Sequence, residues 1–301
     1  MRFITIIFLI ALVFSCTEQK EILPKIEGVW KRSGTLVFEN GKIKDTLAPF
    51  YNFKTESTLV GYQYKVFSSK YFGWIRRIGK DTNELKKNIG LAASGNYVVR
   101  NDSLIETIDI LPDRLSDRKG RTFEFKIEFF ENSYMQYAID EDGSGRGELY
   151  KRIDDFKETN LYSGAFNRAG GVKFENYIPT DTTFVVENIN DPNYFSQRLI
   201  LTDNHYFVLF NQFIPDSSGA DTFDLRALLA KSEYSDSIQS LTFLAGLKNI
   251  EEEWKTRFNY NVTRYVDMSD KYLILGALGN NNNGKLDENG NGNRGIQRKI
   301  E

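Results

Sequence analysis

Apolar and polar residues alternate with a period of two along most of the chain, and this pattern limits what the chain can fold into. The clearest run is TFEFKIEF at residues 122–129, where Glu124, Lys126 and Glu128 separate aromatic or aliphatic residues. Successive side chains of a β-strand point to opposite faces, so this run has one buried and one wet face. Similar runs, bounded by Gly, Asn, Asp and Ser, predict an all-β protein of antiparallel strands.

The order of these strand patterns repeats in the second half of the chain at a nearly constant offset. The matches pair Gly28 to Trp30 with Gly164 to Phe166, Tyr71-Phe72 with Tyr206-Phe207, Asp102 to Leu104 with Asp236 to Ile238, Phe123 to Ile127 with Phe258 to Val262, and Leu149 to Asp154 with Ile296 to Glu301. Self-similarity of this kind indicates tandem copies of one unit. We therefore expect one domain over residues 26–155 and a second, diverged domain over residues 156–301. A single large sandwich is the alternative.

The N-terminus carries an apolar stretch, FITIIFLIALVF, that is too short to span a bilayer, which needs roughly 20 residues. The stretch is typical of a signal peptide. Val13-Phe14-Ser15-Cys16 follows and resembles the lipobox of bacterial lipoproteins, with the looseness seen in the Bacteroidota. The resemblance implies a signal peptide over residues 1–15, acylation of Cys16 with palmitate or a related chain, and a lipidated tether over residues 16–25. An ordinary secretory signal is the alternative.

The location of such a lipoprotein would be the cell envelope. Thr17, rather than Asp, follows Cys16, and the sorting rule known for enterobacteria then favours the outer membrane. Glu18 and Glu21 only partly match the acidic signal that sends some lipoproteins to the cell surface, so the periplasmic and surface faces both stay open.

Composition excludes several classes of function. Cys16 is the only cysteine, so an internal disulfide cannot form and the core alone must hold the fold. Acidic and basic residues number 41 and 39, which gives no basic patch for nucleic acid. His205 is the only histidine, which rules out a multi-His zinc site and leaves few ways to build a catalytic triad. We expect no enzyme and no cofactor, with His205 as an exposed residue of a hairpin turn.

Several motifs of the first half resemble the lipocalin-like (calycin) domains of Bacteroidota lipoproteins. They are Gly28-Val29-Trp30, which is similar to the G-x-W of lipocalins, Phe72-x-Trp74, Gly95-Asn96-Tyr97, the strand of Glu106, the run FEFKIEFF, and a closing strand with Tyr150 and Arg152. The resemblance implies two tandem lipocalin-like antiparallel β-barrels. It further implies that Trp30 packs against Arg152 and closes one barrel end by a cation–π contact of about 1 kcal/mol. Phe166 and Lys299 would form a weaker plug in the second barrel.

Two charged residues fall on strand faces that are otherwise apolar. Arg76 shares a face with Phe72 and Trp74, and Glu106 shares one with Leu104, Ile108 and Ile110. An inward charge is costly unless it is paired or solvated. We therefore expect Arg76 and Glu106 to pair with each other, to bind internal water, or to meet a polar group of a ligand. A salt bridge at the barrel rim is the alternative.

The candidate ligand-binding residues are Phe72, Trp74, Arg76, Tyr97, Glu106, Phe125 and Tyr137. An eight-stranded barrel has just enough room for one small ligand, although the same aromatic residues are equally suited to filling the barrel completely. The repeat places the neutral residues Asn211 and Ser240 at the positions of Arg76 and Glu106.

Two loops resemble the first half of an EF-hand calcium loop. They are Asp140-x-Asp142-x-Ser144-Gly145 and Asp287-x-Asn289-x-Asn291-Gly292. Lys151 and Arg298 stand where an EF-hand needs a bidentate glutamate, and Asp, Asn and Gly are the usual residues of turns. We therefore predict turns at both places and assign no metal site, with calcium binding by the loops as the alternative.

The pattern as a whole favours a noncatalytic envelope lipoprotein that binds or carries a small, partly apolar ligand in the first barrel. The alternative is an interaction or scaffold lipoprotein with filled barrels that docks another envelope protein, and this alternative predicts no internal cavity. The sequence does not identify the ligand.

Overall fold

The computed structural model describes residues 26–112, 118–155, 162–176, 178–184, 195–215, 221–268, 272–276, 289 and 291–300. The signal peptide, Cys16 and the tether that the sequence predicts lie outside these residues. Of the helices in the described part, none is long and apolar enough to cross a membrane.

The first half of the chain forms a closed ring of strands, here called barrel one. Strands β5 to β11 follow one another as antiparallel neighbours, and β1 closes the ring by pairing with both β5 and β11. A short helix, α1 (Thr82–Lys87), joins β6 to β7. The strands are β1 (Gly28–Glu39), β2 (Lys42–Leu47), β3 (Tyr51–Asn52), β4 (Ser57–Thr58), β5 (Val60–Phe67), β6 (Tyr71–Gly79), β7 (Leu91–Arg100), β8 (Ser103–Ile110), β9 (Thr122–Phe130), β10 (Ser133–Ile139) and β11 (Gly145–Asp155).

The second half repeats this ring as barrel two. Strands β14 to β20 are antiparallel neighbours in sequence order, and β12 closes the ring by pairing with β14 and β20. The strands are β12 (Gly164–Glu175), β13 (Ile178–Phe184), β14 (Phe195–Leu201), β15 (His205–Pro215), β16 (Asp221–Ser235), β17 (Ile238–Gly246), β18 (Asn261–Met268), β19 (Tyr272–Gly276) and β20 (Gly292–Lys299), with helix α2 (Lys248–Phe258) between β17 and β18. The prediction of an all-β chain with two tandem antiparallel barrels is confirmed.

Strand pairing aligns the two barrels residue by residue and corrects parts of the sequence repeat. Gly28 and Gly164 are equivalent, as the sequence predicts, because they pair with the matching residues Phe67 and Leu201. Phe72 is equivalent to Tyr206, one residue away from the match made on sequence. Leu104 is likewise equivalent to Gln239 rather than Ile238. The reason is that Ser103 and Ile238 are the first residues to pair after the same turn in the two barrels.

A larger correction concerns β9. Phe123 of β9 pairs with Glu106. In barrel two the equivalent of Glu106 is Leu241, which pairs with Val262. The equivalent of Phe123 is therefore Val262 rather than Phe258. Phe258 instead ends α2, the helix that leads into β18. The longer helical connection displaces the strand along the sequence, which a constant offset cannot represent.

The inner face of β6 carries Phe72, Trp74 and Arg76, while Ile75 and Arg77 lie on its outer face. This is the alternation that the sequence predicts. The prediction for Ile110 is wrong, however. Ser94 pairs with Ile110 and Gly95 with Ile108, so Asp109 is an extra residue. This β-bulge turns Ile110 to the outer face. A register shift also occurs at the equivalent place of barrel two, between Leu229 and Ala230.

The two barrels pack against each other through matching outer faces. The buried cluster between them contains the equivalent pairs Val29 and Ala165, Val66 and Ile200, Ile75 and Leu209, Ala92 and Ala227, and Ile110 and Ala245. Strand contacts are reciprocal, because β6 meets β16 and β17 while the equivalent β15 meets β7 and β8. Reciprocal contacts between equivalent elements define a pseudo-two-fold axis.

Polar groups surround this apolar interface. Arg198 of barrel two pairs with Asp109 of barrel one, with 2.7 Å between Nη2 and Oδ2. Arg77 of barrel one is 5% exposed and pairs with Glu251 of α2. His205 is also buried here, and its Nδ1 lies 2.8 Å from Oδ2 of Asp154. The prediction that His205 is exposed is therefore wrong, because contact with barrel one covers its turn.

Candidate functional site

One end of barrel one is closed by the contact that the family resemblance implies. The guanidinium carbon of Arg152 lies 4.0 Å from the ring centroid of Trp30, and Arg152 Nη1 donates to the carbonyl of Glu27 at 2.7 Å. The Trp30 indole donates to the carbonyl of Ile26 and packs edge-on against Tyr134. In barrel two, Phe166 pairs with Lys299, whose Nζ donates to the carbonyl of Ser163.

The opposite end of barrel one holds a cavity of about 420 Å³. Residues of β1, β6, β9, β10 and β11 form its wall, and the segment 49–59, here called the mouth hairpin, lies over it. The cavity is lined by Arg32, Thr35, Phe50, Tyr51, Phe53, Leu59, Arg76, Ile78, Phe125, Gln136, Tyr137, Ala138, Arg146, Gly147 and Glu148. Aromatic rings and guanidinium groups therefore face the same space at the mouth of the barrel.

The mouth hairpin contains β3 and β4 and is attached to the barrel by polar and ring contacts. Thr35 Oγ1 donates to the carbonyl of Pro49 at 2.9 Å. The guanidinium carbon of Arg32 lies 5.3 Å from the ring centroid of Phe50, and that of Arg146 lies 3.9 Å from the ring centroid of Phe53. Phe50 is buried in this arrangement. The hairpin thus adds aromatic surface to a site whose cations come from the strands.

A hydrogen-bonded network lies beneath the cavity. Lys65 Nζ donates to Glu106 Oε1 at 2.7 Å and to Gln136 Oε1 at 2.8 Å, and all three residues are at most 5% exposed. Gln136 Nε2 continues the chain to Glu148 Oε2 at 3.1 Å. Arg32 Nη1 lies 2.6 Å from Glu148 Oε1. Each of the two interior carboxylates is therefore paired with its own cation, Glu106 with Lys65 and Glu148 with Arg32. Gln136 connects the two pairs, because it accepts from Lys65 and donates to Glu148.

The protonation of Glu148 follows from these contacts. Burial raises the pKa of its carboxyl, but the charges of Arg32 and Lys65 and a hydrogen bond from Tyr150 outweigh burial and leave the pKa below its ordinary value. Glu148 is therefore ionised. General acid catalysis by a carboxyl needs a pKa raised toward neutrality. Glu148 departs from that requirement, and Glu106 does not line the cavity.

Arg76 differs from the other interior charges. It lines the cavity and forms no ion pair with any residue in the described part of the chain. Its guanidinium carbon lies 5.9 Å from the ring centroid of Trp74. Of the alternatives for these two charges, pairing of Arg76 with Glu106 is excluded, because Lys65 is the ion-pair partner of Glu106.

The other candidate residues separate into two groups. Phe125 lines the cavity, and Tyr137 borders it while its hydroxyl donates to Glu128 Oε1 at 2.7 Å. Phe72, Tyr97 and part of Trp74 belong instead to the packed core toward the closed end. About half of the aromatic residues that the sequence predicts for the ligand site therefore belong to the packed core instead.

Sequence reasoning missed Arg32, Phe50, Phe53, Arg146 and Glu148. Signals existed for two of them, because Arg32 follows Trp30 by two residues and Glu148 precedes Tyr150 by two, which places both on inward faces. Arg146 lies near the turn before the closing strand, where an outward position is the ordinary expectation. Phe50 and Phe53 belong to a short irregular segment without a periodic pattern, and sequence alone carries no signal for them.

In barrel two, most of the positions that correspond to this network are apolar. Strand register places Leu199, Leu241 and Leu275 at the positions of Lys65, Glu106 and Gln136. Phe210 occupies the position of Arg76, and Gly295 that of Glu148. The correct equivalents of Arg76 and Glu106 are thus Phe210 and Leu241, not Asn211 and Ser240. Both are uncharged, and the three leucines belong to one buried apolar cluster.

The first of the two possible calcium loops is a turn held by its own backbone. Asp142 Oδ1 accepts from the backbone amide of Ser144 at 2.8 Å, and the amide of Gly143 donates to the carbonyl of Asp140. Much of the second loop lies outside the described residues. Across the part of the chain that the structure covers, three or more His, Cys, Asp or Glu side chains never gather as a metal site would require.

Comparison with known proteins adds little to this description. The chain matches no family model and no curated protein. It is similar to a solved structure described as an uncharacterized protein from Bacteroides eggerthii, with 13% sequence identity and a TM-score of 0.24. That match covers 46% of this chain and 99% of the other.

Proposed function

We propose that the protein binds or carries a small, partly apolar ligand in the cavity of barrel one. The observation that carries this proposal is the cavity itself, which combines aromatic side chains with a few fixed polar groups. Ligand sites in proteins usually have this composition and a volume of about 300–1,000 Å³. The alternative of a scaffold with filled barrels predicts no cavity, so the 420 Å³ space favours binding.

The proposal includes a noncatalytic role. The carboxylates near the cavity are paired with cations, which suits them to fixing the shape and charge of a site rather than to moving protons. Barrel two, in which the equivalent positions are leucine, phenylalanine and glycine, would serve as a packing partner for barrel one. The contact between Trp30 and Arg152 supports a resemblance to lipocalin-like domains.

Native mass spectrometry of the protein, purified in mild detergent from its own host, tests the binding proposal. We expect a bound small molecule whose mass is lost in Arg76→Ala. The matched control is Lys151→Ala, which removes an exposed charge from β11 without touching the cavity. A protein that carries no extra mass, and that also fails to bind fluorescent anionic probes such as anilinonaphthalene sulfonate, would favour the scaffold function instead.

We further propose that Cys16 carries a lipid that anchors the protein in the cell envelope. The apolar stretch before Val13-Phe14-Ser15-Cys16 supports this proposal. Growth with an alkyne analogue of palmitate should label the protein and should not label Cys16→Ser. Labelling that persists in Cys16→Ser would contradict acylation at this residue.

A further inference from the structure

The cavity of barrel one contains more positive than negative charge. Three guanidinium groups line it, those of Arg32, Arg76 and Arg146, together with one carboxylate, that of Glu148. Arg32 lies 2.6 Å from Glu148, so these two neutralise each other. Arg76 and Arg146 form no ion pair with any residue that the structure describes. Two positive charges therefore remain available to a ligand.

The two guanidinium groups lie at different depths. Arg76 is half-buried on the inner face of β6, and burial followed by the charge of Arg32 lowers the pKa of its guanidinium despite the opposing charge of Glu148. Arg146 is exposed at the mouth, where it stacks on Phe53 at 3.9 Å. Phe50, Phe53 and Phe125 supply apolar surface in the same cavity. A guanidinium is a planar group that binds carboxylate or phosphate with two parallel hydrogen bonds.

Barrel two provides a comparison within the same chain. Its equivalents of Arg76 and Arg146 are Phe210 and Asn293, while Arg32 corresponds to Arg168. Arg168 occupies the space left by Gly295, since a Cβ there would lie 2.8 Å from Arg168 Nη1. The two available cations are therefore specific to the barrel that has the cavity, and the common fold does not require them.

We propose that the ligand of barrel one is a doubly anionic molecule with an apolar or aromatic body, bound by Arg76 at its inner anionic group and by Arg146 at its outer one. This inference rests on the proposed binding function and specifies the ligand class. The body of the ligand packs against the phenylalanines of the mouth hairpin and β9. Burial of the inner anion is favourable because Arg76 is already desolvated and because the nearby Glu148 is ion-paired with Arg32 instead.

Isothermal titration calorimetry with two rigid probes tests this class. Naphthalene-2,6-dicarboxylate and 2-naphthoate share one aromatic body and differ by one carboxylate. We expect the dicarboxylate to bind at least tenfold more tightly to the intact protein. Arg146→Gln should remove this preference, so that the two probes bind with affinities within about twofold of each other, whereas Arg76→Gln should weaken both probes. Lys151→Gln is the control and should change neither.

Equal affinity for the two probes would overturn the doubly anionic class while leaving the binding function intact. A preference that survives Arg146→Gln would overturn the assigned position of the outer group. The mass of the ligand obtained from the host gives a separate readout, because a neutral or singly charged ligand that needs Arg76 would support binding and contradict this inference. The inference is overturned if neither probe binds. The proposed function fails only if, in addition, the protein purified from its host carries no ligand.

Discussion

Lys65 and Glu106 occupy, in barrel one, the interior positions that Leu199 and Leu241 occupy in barrel two. Both pairs are buried, so one fold accommodates an ion pair and an apolar pair at the same place. A buried ion pair gains little over an apolar pair of similar volume, because desolvation offsets the attraction between the charges. Loss of one partner is different, since it leaves the other charge buried without compensation. The ion pair therefore fixes the arrangement of the side chains beneath the cavity more than it adds to the free energy of unfolding.

This contrast predicts the behaviour of single and double variants. Lys65→Leu alone should lower the free energy of unfolding by about 3–5 kcal/mol, because Glu106 is left unpaired. Lys65→Leu combined with Glu106→Leu copies barrel two and should recover most of that loss. Urea denaturation of the two single variants and the double variant measures the coupling. A double variant as unstable as the single variants would show that the pair itself is required.

Asp154 predicts a dependence of stability on pH. Burial raises the pKa of its carboxyl, but hydrogen bonds from His205, Thr202 and Asn204 together lower the pKa below its ordinary value of 3.8. The folded state therefore binds this proton less tightly than the unfolded state does. The resulting stabilisation is fully present above the ordinary value and is lost as the pH falls through the lower, folded-state value.

Asp154→Asn should consequently reduce stability at neutral pH and flatten the decline below about pH 4. Urea denaturation over a series of pH values measures both effects. Glu124→Gln, on the exposed face of β9, is the control and should keep the decline of the original protein. An Asp154→Asn variant that declines as steeply as the original would mean that other carboxyls dominate acid unfolding.

At the scale of elements, the mouth hairpin stands apart from the strands it covers. Its own strands, β3 and β4, have two residues each and pair only with each other. The contacts of Phe50 and Phe53 with arginines join it to the barrel, together with the bond from Thr35 to Pro49. Few of its backbone groups take part in the main sheet, which is typical of an element of low local stability.

Phe53→Ala should therefore affect binding more than folding. Loss of the ring removes apolar surface on which the ligand packs and should weaken a naphthalene carboxylate about twofold to tenfold, since an aromatic pair is worth about 0.5–1.5 kcal/mol. The free energy of unfolding should stay within about 0.5 kcal/mol of its original value, as for most surface substitutions. Calorimetry and urea denaturation give the two quantities. A large loss of stability would show that the hairpin is part of the barrel core.

Period-two patterning predicted most of the strands and placed Arg76 and Phe125 facing inward, because alternation is a direct consequence of strand geometry. It failed where geometry departs from a regular strand. The bulge at Asp109 reverses Ile110, and the helical connection before β18 shifts Val262 relative to its expected position. The partner of Glu106 was missed for another reason, since the contact with Lys65 depends on which strands become neighbours in space and not on the pattern of either strand.

At the scale of the whole molecule, Gly73 and Phe207 lie at equivalent positions of the two barrels and contact each other near the pseudo-two-fold axis. A Cβ at residue 73 would lie 2.1 Å from Cε1 of Phe207. The ring therefore occupies the space that the missing side chain leaves. The two copies therefore fit together at this point through different residues at equivalent positions.

This shared core predicts that both barrels unfold together. Differential scanning calorimetry of the intact protein should show one transition. Gly73→Ala overpacks the interface and should cost about 1–3 kcal/mol, which separates the transition into two. Gly171→Ala, at a glycine of β12 where a Cβ would make only ordinary van der Waals contacts, should cost less and keep a single transition. Two transitions in the original protein would mean that the interface contributes little to stability.

Closure of each ring by its first and last strands also has a kinetic consequence. β1 can pair with β11, and β12 with β20, only after all the intervening strands have been synthesised. Contacts so distant in sequence slow folding, and the open edge of each first strand can meanwhile pair with the wrong closing strand of the similar copy. Refolding of this chain should therefore be slow and sensitive to concentration, and the export that we propose would place this vulnerable interval outside the cytoplasm.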